Sequence, residues 1–329
     1  MKLLVTGGGG FLGKALAKAL VQEGHDVRSF SRGDYMELRS LGVEIRRGDI
    51  AYEKSFFAAV KGCEAVFHVA AKAGVWGPYE EYYKTNVVGT KNVINACIRN
   101  KVKRLIFTSS PSVVFGNTDQ EGVDESEPYP RRYLSHYPRT KAMAEQLVLK
   151  ANSDTLATVS LRPHLIWGPG DNHLIPRIVA RARSGKLRLV GDGKNLVDTV
   201  YIDNAVDAHL AALDCLSPGS VVSGKAYFIT NGEPLPMAGI INKVLKAAGL
   251  PALTKKISTR AAYAAGAVME SVYSLLRRRD EPLMTRFLAR ELSCSHWFDI
   301  SAARRDLGYN PAVSIDEGML KLKEWLQRK

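Results

Sequence analysis

The first thirteen residues, Met1-Lys-Leu-Leu-Val-Thr-Gly-Gly-Gly-Gly-Phe-Leu-Gly13, restrict the fold more than any other stretch. A short apolar run, Leu3-Leu4-Val5, enters a glycine turn, and Phe11 to Leu20 leaves it with helical spacing. Glycines at Gly7, Gly10 and Gly13 permit a tight turn, close approach of a pyrophosphate to the backbone, and packing of helix on strand. The helix N-terminus adds free amides and the positive end of its dipole. Set between a strand and a helix, the glycines predict a parallel α/β sheet that holds a dinucleotide.

The rest of the first half reads the same way. Apolar runs suited to buried parallel strands lie at Leu3–Val5, Val27–Phe30, Val43–Ile45, Ala65–Val69, Leu105–Phe107 and Ala157–Leu161. Helical patterns lie between them at Phe11–Glu23, Met36–Leu41, Ser55–Val60, Tyr79–Arg99 and Tyr137–Lys150. Such alternation predicts a Rossmann-type doubly wound parallel sheet with a smaller, partly interleaved C-terminal substrate domain. The boundaries expected are 1–172 for the cofactor domain, with 196–230 returning to it, and 173–195 plus 231–329 for substrate. Ligands of such sheets sit beyond the carboxyl ends of the strands, where every motif of this half falls.

Composition narrows the function classes. Met1 leads directly into a strand with no signal-peptide pattern, so a cytoplasmic protein is expected. Cys63, Cys97, Cys215 and Cys294 lie far apart and read as small buried hydrophobes, and the histidines show no ligand spacing, so no metal is expected. A net charge of +13 suits an anionic ligand, partner or membrane; no nucleic-acid motif accompanies it.

Tyr137-Pro-Arg-Thr-Lys141 places a phenol and an ammonium on one helix face. Thr108-Ser109-Ser110 follows an apolar strand, where a hydroxyl can orient a carbonyl oxygen. A free tyrosine, with a pKa near ~10, is a poor acid–base group at neutral pH, and a neighbouring ammonium favours its anion. Ser110, Tyr137 and Lys141 thus form a set able to protonate an alkoxide as hydride arrives from a nicotinamide. An acidic residue about twenty positions past the glycines would bind the ribose hydroxyls of NAD. Ser31-Arg32 stands there instead, and a guanidinium suits a 2′-phosphate, so NADP(H) is expected.

These residues resemble the extended short-chain dehydrogenase/reductase superfamily. The match runs through Thr6-Gly7-x-x-Gly10-x-x-Gly13, Gly48-Asp49, His68-x-Ala70-Ala71, Asn86-Val-x-Gly-Thr90, Thr108-Ser-Ser110, Tyr137-x-x-x-Lys141, Arg162-Pro163 and Tyr201-Ile-Asp-Asn204. It implies Tyr137 as proton donor, Lys141 as its partner and Ser110 as the carbonyl-orienting residue. Ser110–Gly116 looks one residue longer than in many relatives, so Ser112 competes for that last role. The cofactor is expected against Gly7, Gly10, Phe11, Leu12, Gly13, Ser31, Arg32, Asp49, Ile50, Ala70, Ala71, Lys72, Tyr137, Lys141, Pro163 and Leu165.

Within the superfamily the chain is similar to the 3β-hydroxysteroid dehydrogenase-type branch, and most to bacterial 2-alkyl-3-oxoalkanoate reductases. His68-Val-Ala-Ala-Lys-Ala-Gly-Val-Trp-Gly77, Leu161-Arg-Pro-His-Leu-Ile-Trp-Gly-Pro-Gly170, Met284-Thr-Arg-Phe-Leu-Ala-Arg290 and His296-Trp-Phe-Asp299 carry that likeness. It implies NADPH-dependent reduction of the keto group of a long-chain 2-alkyl-3-oxoalkanoic acid in olefin and β-lactone hydrocarbon biosynthesis. Assembly with a β-lactone synthetase and a β-lactone decarboxylase, and a homo-oligomer, are expected with it. A sterol dehydrogenase and a nucleotide-sugar epimerase or dehydratase are the same-fold alternatives, and a non-catalytic scaffold the different class. Segment 260–279 is apolar and ends in Arg277-Arg278-Arg279. It reads as core or oligomer helix, as a lid over a greasy substrate, or as a peripheral membrane contact.

Overall fold

Seven strands, all parallel, form the central sheet of the computed structural model, which describes residues 1–328. They are β1 (Lys2–Thr6), β2 (Asp26–Ser31), β3 (Glu44–Arg47), β4 (Ala65–His68), β5 (Arg104–Thr108), β6 (Ala157–Pro163) and β7 (Lys225–Ile229). Their spatial order is β7-β6-β5-β4-β1-β2-β3. The order reverses between β1 and β4, the switch point at which Rossmann-type sheets open a crevice. Successive side chains feed opposite layers: Leu3 and Val5 enter one buried cluster and Leu4 the other. Both faces are covered over the central strands, which is why β1, β4 and β5 read as apolar runs.

Two features depart from the sequence reading. β7 was not expected as a strand, although it closes one sheet edge by pairing Lys225–Ile229 with Val159–Pro163. The single helix expected over Tyr79–Arg99 is three pieces: α-helix Tyr79–Tyr82, π-helix Tyr83–Val88 and α-helix Gly89–Arg99. Gly89 faces Ile50 so closely that a Cβ would lie 2.7 Å from Ile50 Cδ1. Wide π turns concentrate at functional sites, and this one places Thr85 on the cleft wall.

A second, smaller layer is built from one segment between β5 and β6 and from the chain beyond β6. Strands Gln120–Val123, Leu196–Val197, Leu235–Pro236 and His296–Phe298 make a four-stranded sheet. Helices Leu174–Arg183, Met237–Ala247, Thr259–Leu275 and Arg286–Glu291 supply one wall each to the cleft described next. No helix among the described residues is long and apolar enough to cross a membrane.

Candidate active site

One continuous cleft of ≈ 990 Å³ runs from the glycine turn into the smaller layer. At its start Gly7 has φ +71°, a conformation other residues avoid, and its N–H donates to Phe30 O at 2.9 Å. A Cβ on Gly13 would lie 2.3 Å from Gly7 O, so helix Phe11–Gln22 packs on the turn only because that position is glycine. Gly10 caps this helix in extended conformation, leaving the first-turn amides of Phe11, Leu12 and Gly13 directed at the cleft end.

The strand ends supply the rest. Ser31 and Arg32 follow β2, Asp49 and Ile50 follow β3, Ala70 and Ala71 follow β4, and Pro163 and Leu165 close β6; all line the cleft. Arg32 is exposed and, among the described residues, forms no ion pair or side-chain hydrogen bond. Nearby Asp34 is taken up by Arg39 through contacts of 2.9 and 3.0 Å. Leu165 is held at φ +43°, a strained backbone of the kind found at ligand-binding turns. Lys72 is the one expected residue outside the cleft wall: its ammonium pairs with Glu81 at 2.8 Å. The glycine cradle and the unpaired guanidinium fit a dinucleotide phosphate group.

Ser110, Tyr137 and Lys141 meet in the middle of the cleft. Helix His136–Lys150 presents Tyr137 and Lys141 one turn apart. Ser110 caps the short turn Pro111–Val113, accepts from Ser112 N–H at 3.2 Å, and hydrogen-bonds Tyr137 through its side chain. Ser112 Oγ is 2.9 Å from Ser110 Oγ, so the second serine supports the first. Burial pushes the Tyr137 phenol up to about 12, opposed by the Ser110 hydrogen bond and reinforced by the Glu291 charge. Lys141, expected to lower that value, instead donates to Thr108 O at 2.6 Å and lies 4.0 Å above the Phe107 ring. Its own ammonium is destabilised by burial, to about 7.

A buried hydrogen-bond frame holds this set. Asn86 Nδ2 donates to Lys72 O at 3.1 Å and to Thr140 Oγ1 at 3.0 Å, and its Oδ1 accepts from Lys72 N at 2.7 Å. It thereby ties the loop after β4 to the helix carrying Tyr137. His68 bridges Thr6 Oγ1 and Thr90 Oγ1, 2.9 Å on each side. Both residues lie in the quoted motifs, but only the three-dimensional arrangement shows that they are braces.

Sequence reading gave segments 173–195 and 231–329 to substrate but assigned no individual role to the side chains of the far wall. That wall is apolar, with Met237, Ile240, Met269, Met284 and Phe287, and carries one carboxyl, Glu291, whose charge reaches Tyr137. Burial pushes Glu291 up to about 7, against the pull of His164 and Arg177. His164 bonds Asp198 at 2.6 Å and His296 at 3.1 Å, and His296 donates to the Glu291 carbonyl at 2.7 Å. Arg177 and Arg181 bring positive charge to the same end; Arg177 pairs with Glu281, and Arg181 donates to Leu283 O at 3.1 Å. His164, Met284, Phe287 and His296 lie in stretches quoted above for the family likeness, but their convergence with Met237, Ile240, Met269 and Glu291 is set only by the fold.

Comparison with known proteins agrees with this geometry. The solved structure of MoeE5 in complex with UDP-glucose and NAD is 25% identical with TM-score 0.76, covering 100% of this chain and 99% of that one. A 2-alkyl-3-oxoalkanoate reductase of Stenotrophomonas maltophilia is 54% identical over 98% of each chain. The human sterol-4-alpha-carboxylate 3-dehydrogenase, decarboxylating, is 33% identical over 96% of this chain and 85% of its own. Residues 4–258 match the model of the 3-beta hydroxysteroid dehydrogenase/isomerase family. With a dinucleotide cradle and a Ser–Tyr–Lys set in one cleft, the chain is an NAD(P)-dependent oxidoreductase acting on hydroxyl or keto groups, and it belongs to that family.

Proposed function

We propose that the protein reduces the 3-keto group of a 2-alkyl-3-oxoalkanoic acid to the hydroxy acid, with NADPH, in long-chain olefin and β-lactone hydrocarbon biosynthesis. The observation that carries this reading is the cleft itself: Tyr137 stands between the glycine cradle and an apolar pouch with arginines at its side. Two alkyl chains need apolar cover and a carboxylate needs a cation, for which Arg177 and Arg181 are the candidates. The two relatives named above share a further feature in their names, since each acts at a carbon next to one that bears a carboxylate.

NADPH would supply the hydride, held by the glycine turn, Ser31 and Arg32. Ser110 donates a hydrogen bond to the substrate's keto oxygen and fixes it against Tyr137. As that oxygen takes up the C=O π pair, the Tyr137 hydroxyl, neutral at physiological pH, gives it a proton, and the pair becomes the O–H bond of the new alcohol. Lys141, buried and bonded to Thr108 O, lies one helical turn from the phenolate left behind.

Consumption of NADPH with a 2-alkyl-3-oxoalkanoic acid, measured beside sterols with NAD⁺ and sugar nucleotides, tests the proposal. Turnover of the oxo acid supports it. Oxidation of a sterol carboxylate in preference would favour the second reading, to which the human relative points.

A further inference from the structure

Helix Thr259–Leu275 runs along the rim of the cleft, which Ala262, Ala265 and Met269 line. Beside that row, Val268, Val272, Leu275 and Leu276 follow one another at i, i+4, i+7 and i+8, and are 64%, 44%, 83% and 62% exposed. Single exposed apolar residues are ordinary, but a continuous stripe along a helix marks a contact surface.

The stripe ends in Arg277-Arg278-Arg279. The carboxylates around it are already engaged: Asp280 by Arg278, Glu281 by Arg177, Glu270 by Arg286 and Glu81 by Lys72. Arg277 forms no ion pair among the described residues, and the Arg279 side chain is 84% exposed, 3.9 Å from Glu81. Trp76 stands beside them, its indole N–H donating to Arg278 O at 3.1 Å and its ring edge-on to Tyr273. Apolar stripe, amphipathic aromatics and unneutralised arginines are the composition of a helix lying in a lipid headgroup layer.

We propose that this face docks on an anionic phospholipid surface. The apolar stripe enters the headgroup boundary, and Arg277 and Arg279 meet lipid phosphates. Because Ala265 and Met269 of the same helix line the cleft next to this stripe, docking sets the apolar end of the cleft beside the bilayer. A second copy fits the face poorly, since a two-fold contact would bring both arginine clusters together. An excess of basic over acidic residues, 46 to 33, acts in the same direction as the local cluster.

Co-sedimentation of the full chain with phosphatidylcholine vesicles, with and without phosphatidylglycerol, tests this. Binding is expected only with the anionic lipid and should fall as salt is raised. Arg277→Ala with Arg279→Ala should weaken it roughly 30-fold, and Val272→Glu with Leu275→Glu by at least about tenfold. Both double variants change exposed positions, so thermal unfolding and NADPH binding should stay as in the parent chain. Should the glutamate variant fail to fold, the arginine variant and the salt series still decide. Failure of the parent chain to sediment, equal binding to neutral vesicles, or unchanged binding of the variants would overturn the proposal. So would a dimer or a protein complex that the glutamate variant dissolves in the absence of lipid affinity. Vesicle binding needs no turnover, so its outcome is separate from that of the reductase assay.

Discussion

The phenol of Tyr137 is desolvated, bonded to Ser110 and faced by the charge of Glu291, and each contact has a measurable consequence. Tyr137→Phe keeps the ring and removes the proton, so turnover should fall by ~10²–10⁴ with cofactor affinity nearly unchanged. Titrating cofactor binding beside kcat checks both halves. Glu291→Gln removes a negative charge that raises the phenol's pKa. The alkaline limb of kcat/KM for reduction, where the acid is lost, should therefore move to lower pH; no shift, or a shift upward, contradicts the arrangement. Arg32, at the end of β2, has no ion-pair or side-chain hydrogen-bond partner among the described residues. Arg32→Ala should cost NADPH about ten- to a hundredfold in affinity, the worth of a charge-assisted bond to phosphate, and leave NADH almost untouched. Binding titrations with the two cofactors separate that outcome from a general loss.

At the level of elements, the helix bearing Tyr137 is fastened to β6 by a buried ion pair. Arg162 meets Glu145 at 2.7 Å, while Ser160 and Tyr129 each donate to the same carboxylate at 2.7 Å. Glu145→Ala leaves the guanidinium buried without its partner and should cost about 3–5 kcal/mol in denaturant unfolding. The motif Arg162-Pro163 was visible in the sequence, but its partner, seventeen positions earlier inside a helical pattern, was not. Buried strands β1, β4, β5 and β6 were readable because burial on both faces leaves a continuous apolar run. β7 was overlooked: Lys225 opens it and its apolar stretch, Ala226 to Ile229, is short. The π turn at Tyr83–Val88 escapes any periodicity argument, since it adds one residue to a pattern that otherwise reads as helix. The near half of the cleft was legible because phosphate and proton chemistry demand fixed spacings. Its far half is built from apolar side chains that substrate shape selects, and such selection leaves no motif.

For the molecule as a whole, buried imidazoles set the response to acid. Burial lowers His68 and His296 from 6.5 to about 3 and His209 to about 4. Below pH 6.5 the unfolded chain binds protons that the folded one refuses, so stability falls as pH drops from 6.5 toward 3. Glu291, raised to about 7, acts in the opposite sense between 4.5 and 7, with Glu125 and Asp207 also raised by burial, while His136 is lowered with the other three imidazoles. Thermal unfolding midpoints should therefore decline from pH 7 to pH 4, and a rise over that range would contradict the burial of these histidines. The placement of β7 bears on how the protein is made. All seven residues of β6 are buried once folded, and one flank of that strand is covered only by a segment synthesised some sixty residues later. Until Lys225–Ile229 has left the ribosome, the nascent sheet carries an unpaired edge, the kind of template onto which strands of other chains add. Chains that stop short of β7 are thus candidates for chaperone capture or aggregation, and the window of vulnerability is written into the strand order.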